Sequence, residues 1–385
     1  MKVALVYNVK AEASLHTALT IGQEQISTNR TYLSPSFGLT SSGISHSHRV
    51  EVPEHAEDFY AEWDTMETVN AVKLALEERH DVAMVEANEH ACQKLLEIRP
   101  DFAFNISEGL YGISREAQIP ALLEMLRIPY LGSDPLTLSL CLEKSRTKEI
   151  LFYHRLRTAQ FTVINSMEAI RGAEVSFPAI VKPLHEGSSK GIYNSSVVRS
   201  TEELLEAVQL TMVRHGQPAL VEDYLPGREF TVAVLGNGDK VRLLPIIELK
   251  FDALPAGANS IYSYEAKWIW DTVDNPLDIY ECPARLGSSP KEEIEILCRD
   301  AYRVMSCRDW ARIDIRLDSK GRPNILEINP LPGILPRKED NSCFPKAART
   351  VGMSYNELIN TVLDIALERC GIYATTNRPR AVEVV

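Results

Sequence analysis

The sequence predicts an α/β fold, α+β in part, in which an N-terminal parallel α/β layer precedes two α+β subdomains. Three observations carry this expectation. Short apolar runs alternate with helical periods from residue 1 to about 135. Beyond about residue 140 strand-rich segments replace that alternation. The chain has 385 residues, enough for two or three domains sharing one body. The boundaries expected are 1–138, 139–220 and 221–372, with 373–385 as a loose tail.

Taken in order, Val3 to Tyr7 is a first strand, too short for the apolar core of a signal peptide. Residues 10–60 are rich in Ser, Thr, His and Gly and read as a loop or inserted lid. Asp64 followed by Glu67 three residues on suggests a helix start with a capping box. Met66, Val69, Val72, Leu74 and Leu76 give that helix its apolar side. Strands are expected at 82–85 and 102–106, and helices at 89–98 and about 115–126. A helix around 141–152 leads to strands near 161–164, 178–182 and 192–198, then a helix at 201–213. Residues 219–250 are strand-rich, 290–306 helical, 311–328 a hairpin and 354–369 a terminal helix.

Composition excludes several classes. A net charge of -12 disfavours a nucleic-acid partner, whose phosphates need a cationic surface. No run of about 18 apolar residues is present, so no membrane-spanning helix is expected. Seven cysteines without a C-x-x-C pair fit the reducing cytoplasm, as buried or inert thiols.

The sharpest constellation is the hairpin. With a period of two, Arg312, Asp314 and Arg316 share one face, and Ile313, Ile315 and Leu317 the other. On the returning strand Glu327 and Asn329 share a face opposite Leu326 and Ile328. If the polar faces align, two carboxylates and an amide oxygen gather, which are hard ligands suited to Mg²⁺, with Mn²⁺ as an alternative. A solvated hairpin with cross-strand Arg–Asp pairs is the competing reading. The rigid Asn329-Pro330-Leu331-Pro332-Gly333 exit favours a fixed site.

A second constellation suits an anion. Lys182 stands alone in the apolar strand Phe177–Pro183, and Glu186-Gly187-Ser188-Ser189-Lys190-Gly191 follows. A lysine in an apolar strand is costly without an opposite charge, and a small-residue loop lets backbone N–H groups approach an anion. Each charge-assisted bond to a phosphate contributes about 1.5–3 kcal/mol. Lys144, at a helix start, is a further cation, or simply a surface lysine. Ala219 to Asp223, a Pro226-Gly227 corner and Phe230 to Leu235 form a crossover that suits an adenine slot or is an ordinary turn.

Together these segments resemble the ATP-grasp superfamily, and within it the D-alanine–D-alanine ligase-like carboxylate–amine ligases. The motifs run from about residue 66 to 370: FNISEG, IPYLGSDP, IVKPLHEGSSKGI, VEDYLPGREFTV, YEAKW, CPA, RIDIRL, LEINPLPG and AARTVGMSYNELI. The resemblance implies an ATP-grasp fold and an ADP-forming reaction through an acyl phosphate. It implies that Lys144, Lys182 and Lys267 meet ATP phosphates and that Glu186, Gly187, Ser188, Ser189 and Gly191 close over them. Glu222, Tyr224, Leu225 and Glu229 match adenine and ribose contacts, and Asp314, Glu327 and Asn329 match metal ligands. Arg312, the Gly333 backbone, Lys267 and Ser188 match the catalytic set, with an oxyanion donor of this kind typically worth about 2.7–4 kcal/mol. Ser342 resembles the serine that holds the acceptor carboxylate. The resemblance also implies small-molecule amino-acid substrates, a homodimer and a cytoplasmic enzyme.

Departures surround the substrates. After the first strand the family has a Gly-Gly-x-Ser-x-Glu segment whose Glu holds the first substrate's ammonium. Here Asn8-Val9-Lys10-Ala11-Glu12 stands instead. Glu108-Gly109 replaces His-Gly, Trp268 replaces a Tyr, and residues 335–341 lengthen the acceptor loop with charge. Glu108, Arg115 and Trp268 are therefore candidate substrate contacts. His46 and His48 read as solvated loop side chains rather than metal ligands. The expectation is kept chemistry with changed substrates. Genuine D-alanyl-D-alanine synthesis, a ligase of mycosporine or peptide-antibiotic type, a small-molecule kinase and a nucleotide sensor are the alternatives.

Overall fold

The computed structural model describes residues 1–10, 62–109, 111–271 and 277–372. The expected lid at 10–60, His46, His48 and the 373–385 tail lie outside them, apart from Lys10.

Strand β1 (Lys2–Tyr7) is the centre of a parallel sheet, between β2 (Asp81–Glu86) and β3 (Phe102–Asn105). Val3 through Val6 are all buried because helices cover both faces. Val3 and Leu5 pack towards α1 (Met66–Glu77) and α9 (Tyr355–Arg369). Ala4 and Val6 pack towards α2 (Ala91–Ile98) and α3 (Gln118–Leu126).

Helix α1 differs from expectation at its start. Asp64 bridges Val9, and its carbonyl accepts from Lys10 N at 2.9 Å. That strand-like pairing leaves Thr65 as N-cap, whose Oγ1 accepts from Thr68 N at 3.3 Å. Leu74 is exposed; Ala75 occupies the buried face beside Leu76.

The helix expected around 141–152 begins at Lys144, and a separate helix ends just before it. Asp134 caps α4 (Pro135–Leu142), with Pro135 in its first turn. The Glu143 carboxylate accepts from Ser145 N and Arg146 N at 3.3 and 3.1 Å, starting α5 (Lys144–Tyr153) afresh. This cap puts Lys144 in the first turn of α5, one turn before Lys148.

A four-stranded antiparallel sheet follows, in the order β4 (Phe161–Ile164), β7 (Ala219–Asp223), β5 (Ala179–Pro183), β6 (Val197–Val198). The strand expected over 192–198 shortens to two residues. Tyr193 N donates to Ser196 Oγ at 2.9 Å, and this local turn displaces ladder pairing. Helix α6 (Thr201–His215) covers the sheet.

The largest sheet runs β11 (Tyr280–Glu281), β10 (Ile247–Leu249), β8 (Glu229–Leu235), β12 (Trp310–Leu317), β13 (Pro323–Asn329), with β9 (Arg242–Leu243) also on β8. One face packs on α7 (Ser288–Val304), the other on α8 (Cys343–Thr350) and the N-terminal core. β7 and β8 are thus not a hairpin; the Pro226-Gly227 corner carries the chain from one sheet to the next. The expected boundary at 220 falls within β7, all of which pairs in the four-stranded sheet.

Asp309, wholly buried, joins the layers. It accepts from Gly132 N, from Asn237 Nδ2 and from Arg369 Nε, each at 2.8 Å.

Candidate active site

Two sheets face each other across a cleft of about 440 Å³. One wall is β5 and β7, bearing Lys182 and Glu222; the other is β8, β12 and β13, bearing Glu229, Arg312, Asp314 and Glu327. A smaller cavity of about 100 Å³ continues from it and is lined by Glu108, Lys144, Asn329 and Gly333. Glu186, Gly187, Ser188, Lys267, Arg312, Glu327 and Gly333 border both.

The hairpin register aligns the polar faces: Arg312 opposes Asn329 and Asp314 opposes Glu327. A bulge then shifts the pairing, so that Ile315 opposes Ile325. The bulge corrects one expectation. Ile325 and Ile328 enter the core, whereas Leu326 lines the cleft.

The acidic residues here are braced by Arg312. Its Nη2 lies 2.8 Å from Asp314 Oδ2 and 3.4 Å from Glu327 Oε1. Asn329 Nδ2 donates to the same two oxygens at 3.2 and 3.4 Å. Turning the amide over would aim its oxygen at the same point. Two carboxylates and one amide oxygen around a point fit a hard divalent cation. Among the described residues no group of three or more His, Cys, Asp or Glu side chains forms an alternative metal site.

Electrostatics separate the two carboxylates. Burial acts to raise the Glu327 carboxyl, but Lys144, Arg312 and Lys182 outweigh it and hold the group down at about 2. Asp314 is raised by burial and by Glu327 against the pull of Arg312. Lys267 is lowered to about 8, first by burial and then by Arg312.

The cations converge as well. Lys144 Nζ donates to the Glu186 carbonyl and lies 3.9 Å from Glu327 Oε2. Lys182 Nζ lies 2.8 Å from Glu222 Oε2. In the loop that follows Lys182, Ser188 and Ser189 have left-handed backbones with φ of 52° and 60°. Ser189 Oγ donates to the Tyr262 carbonyl at 2.7 Å, and Trp268 Nε1 to the Ser188 carbonyl at 3.3 Å. Gly191, by contrast, does not line the cleft. A Cβ there would lie 2.3 Å from Pro183 Cγ, so its glycine serves the tight turn.

Tyr224 and Leu225 line the far end of the cleft beside Glu229. Arg316, missed as a site residue, is buried behind them: Nη1 lies 2.8 Å from Glu229 Oε2, and Nη2 donates to Tyr224 Oη at 3.1 Å. The strand alternation had already placed it on this face.

Substrate candidates fare unevenly. Arg115 does not reach the cleft; it is buried against Glu62 at 2.7 Å and Glu186 at 3.4 Å, and it donates to the His185 carbonyl. Glu62 also accepts from Gly187 N at 2.6 Å, a contact the sequence did not signal. Glu108 lines the smaller cavity, where burial and then Glu116 and Glu62 push its carboxyl well up. The Ser342 hydroxyl borders the cleft but is engaged within its own loop, accepting from Leu335 N at 3.1 Å and donating to the Gly333 carbonyl at 3.3 Å. Asn8 is a buried strut: Nδ2 donates to the Ala87 carbonyl and Oδ1 accepts from Gly109 N.

The family model described as "D-ala D-ala ligase C-terminus" matches residues 149–364. The chain belongs to the D-alanine–D-alanine ligase family. This ligase is 32% identical over 319 residues to a D-alanine–D-alanine ligase of Pelotomaculum thermopropionicum, covering 80% of this chain and 93% of that protein. It is 34% identical over 288 residues to the D-alanine–D-alanine ligase of Bordetella petrii, covering 74% and 82%. An uncharacterised protein of Sinorhizobium fredii, y4sG, is 33% identical over 320 residues, covering 80% and 89%. In fold, the ligase matches the D-alanine–D-alanine ligase of Bacillus anthracis complexed with ATP, with a TM-score of 0.63 at 20% identity over 96% of this chain and 98% of that one. Its architecture is therefore ATP-grasp. Membership makes it an ATP-dependent ligase that forms an amide bond. Among the described residues no helix is long and apolar enough to cross a membrane.

Proposed function

We propose that the ligase is ADP-forming, uses Mg²⁺, and joins a carboxylate to an amine that are not both D-alanine. The observation that carries the ATP and metal assignment is the approach of Lys144 to Glu327, 3.9 Å apart where both line the smaller cavity, which brings the cationic and the acidic constellations onto one small volume. Lys144 and Lys182 bind the terminal phosphates, Tyr224, Leu225 and Glu229 hold adenine and ribose, and Glu222, expected among those contacts, serves instead as the counter-ion of Lys182. Asp314, Glu327 and Asn329 would hold the Mg²⁺. When bound, that ion neutralises charge on the transferring phosphoryl group.

The remaining steps belong to the chain's own side chains. Lys267 meets the phosphoryl group that the substrate carboxylate attacks; the bond from that phosphorus to ADP breaks, giving an acyl phosphate and ADP. Arg312 and the Gly333 N–H then meet the oxyanion that develops as the amine attacks that carbonyl, and the amide forms as inorganic phosphate leaves and the amine loses a proton. Ser188 and the rest of the loop at 186–191 close over the phosphates and keep water from the anhydride.

Changed substrates are supported by the surroundings. Lys10 stacks on Trp268, 4.7 Å from the ring, just after the strand where the family carries a substrate-binding glutamate. Glu108 and Trp268 are donor- and loop-side contacts in this reading, and Ser342 braces the acceptor loop. The family resemblance supports a homodimer in the cytoplasm, and the pairing of β7 supports moving the expected boundary at 220 to 223, for domains at 1–138, 139–223 and 224–372.

The test is incubation with Mg-ATP and pooled amino acids, followed by ADP assay and mass spectrometry. The reading expects ADP together with a product equal to two substrates minus water. Efficient ADP release with D-alanine alone would contradict the changed substrates. A stable phosphorylated product without an amide would contradict ligation.

A further inference from the structure

Lys148 has no part in the reading above, yet it is only 1% exposed. It lies on α5 one turn beyond Lys144, at the i+4 spacing that puts two side chains on one helix face. Its ammonium is 3.0 Å from Glu222 Oε1 and donates to Thr158 Oγ1 at 2.7 Å. Thr158 in turn donates to the Ile325 carbonyl at 2.7 Å, immediately before the bulge in β13. The other Glu222 oxygen takes Lys182 at 2.8 Å. A buried carboxylate thus stands between two ammonium groups, and of the two only Lys182 lines the cleft.

An ammonium bound to a buried carboxylate is not free to serve a phosphate. Drawing it away leaves a bare charge in a poorly solvated place, which is strongly unfavourable. A second, permanent counter-ion removes that obstacle. We propose that Lys148 is a positioning residue for nucleotide binding, holding the Glu222 charge so that Lys182 can exchange Glu222 for a nucleotide phosphate. The exchange is one of ion-pair partners. No covalent bond changes, and Lys148 touches no substrate. Through Thr158 the same ammonium ties this exchange to the strand that carries Glu327. The inference rests on the assignment of Lys182 to the triphosphate.

The test compares the full chain with Lys148→Met, Lys148→Arg, Lys182→Met and the double variant Lys148→Met/Glu222→Gln. Calorimetry with Mg-ADP and Mg-ATP gives affinity, and steady-state kinetics give KM for ATP and for the amino-acid substrates separately. Lys148→Met should weaken nucleotide binding about tenfold or more while leaving the amino-acid KM within about twofold. Lys148→Arg should restore binding to within a few fold. The double variant should bind nucleotide better than Lys148→Met, because no carboxylate then detains Lys182 and the amide keeps an acceptor oxygen. Should Lys148→Met not fold, the double variant decides, because it leaves no carboxylate uncompensated and its remaining Lys182 ammonium keeps the amide oxygen and lines the cleft: binding near the wild-type level supports the proposal, and binding as weak as Lys182→Met overturns it. Wild-type affinity in Lys148→Met, or a uniform loss of kcat with every KM unchanged, would also overturn it. If Lys182→Met binds nucleotide as well as the wild type, the assignment of Lys182 falls and this proposal falls with it.

Discussion

Trp268 donates its indole N–H to the carbonyl of Ser188 at 3.3 Å, joining the π-helical turn Ala266–Trp270 to the loop that follows β5. The same ring carries Lys10 on its surface and Lys267 at 5.2 Å. In the proposed reaction this bond helps keep the loop closed over a hydrolysable intermediate. Trp268→Phe keeps a ring for the lysines and removes only the donor. We expect the ratio of ADP released to amide formed to rise severalfold, on the order of the loss of one hydrogen bond. Parallel ADP and product assays measure it, and an unchanged ratio would remove the latch from the account.

Glu327 is held in its charged form by Lys144, Arg312 and Lys182 against the effect of burial. Glu327→Gln keeps the shape and the contact with Arg312 but halves the carboxylate charge at the metal set. Turnover should fall by about a hundredfold or more, with the Mg²⁺ concentration for half-maximal rate displaced upward. Circular dichroism should match the wild type. Retained turnover at low Mg²⁺ would reject the metal assignment.

The lowered Lys267 ammonium, at about 8, sets a pH dependence. Its folded value lies below the 10.5 of an ordinary lysine, so between those values the unfolded chain binds more protons. Stability from this group therefore rises with pH across that window. Phosphate binding needs the charged form, so nucleotide affinity should fall as pH rises through about 8. Lys267→Met should lose that limb of the profile, which calorimetry from pH 6 to 9.5 would read; a variant keeping it would assign the titration elsewhere.

Asp309 is a structural charge rather than a reacting one. It pairs with Arg369 and takes Gly132 N and Asn237, so three segments meet on one carboxylate. Asp309→Asn should lower unfolding stability by about 3 kcal/mol, the scale for breaking a buried pair. Urea denaturation measures it, and kcat per folded molecule should hold. A loss under 1 kcal/mol would show that Arg369 finds another partner.

The parts legible in the sequence were those that strict periodicity controls. Alternation in 312–317 and 327–329 gave the polar face of the hairpin, since the pairing of Arg312 with Asn329 and Asp314 with Glu327 continues a simple register. What alternation could not foresee was the bulge after Asp314, a ladder irregularity that moved Leu326 to the cleft. Helix starts failed where tertiary pairing competed with capping: Asp64 was taken up by Val9, and Thr65 capped instead. Arg115 was a candidate substrate contact in the sequence, but Glu62, distant in sequence, takes its guanidinium. Lys148 carried one readable sign, its i+4 spacing from Lys144. Its partner Glu222 lies on a strand 74 positions further on, beyond the reach of local patterning.

The most direct measurement is a crystal structure with Mn²⁺ and a non-hydrolysable ATP analogue, with anomalous scattering locating the metal. The account expects a manganese peak among Asp314, Glu327 and Asn329, and Lys144 and Lys182 on the same triphosphate. Manganese held by other residues, or a nucleotide seated away from these lysines, would contradict it.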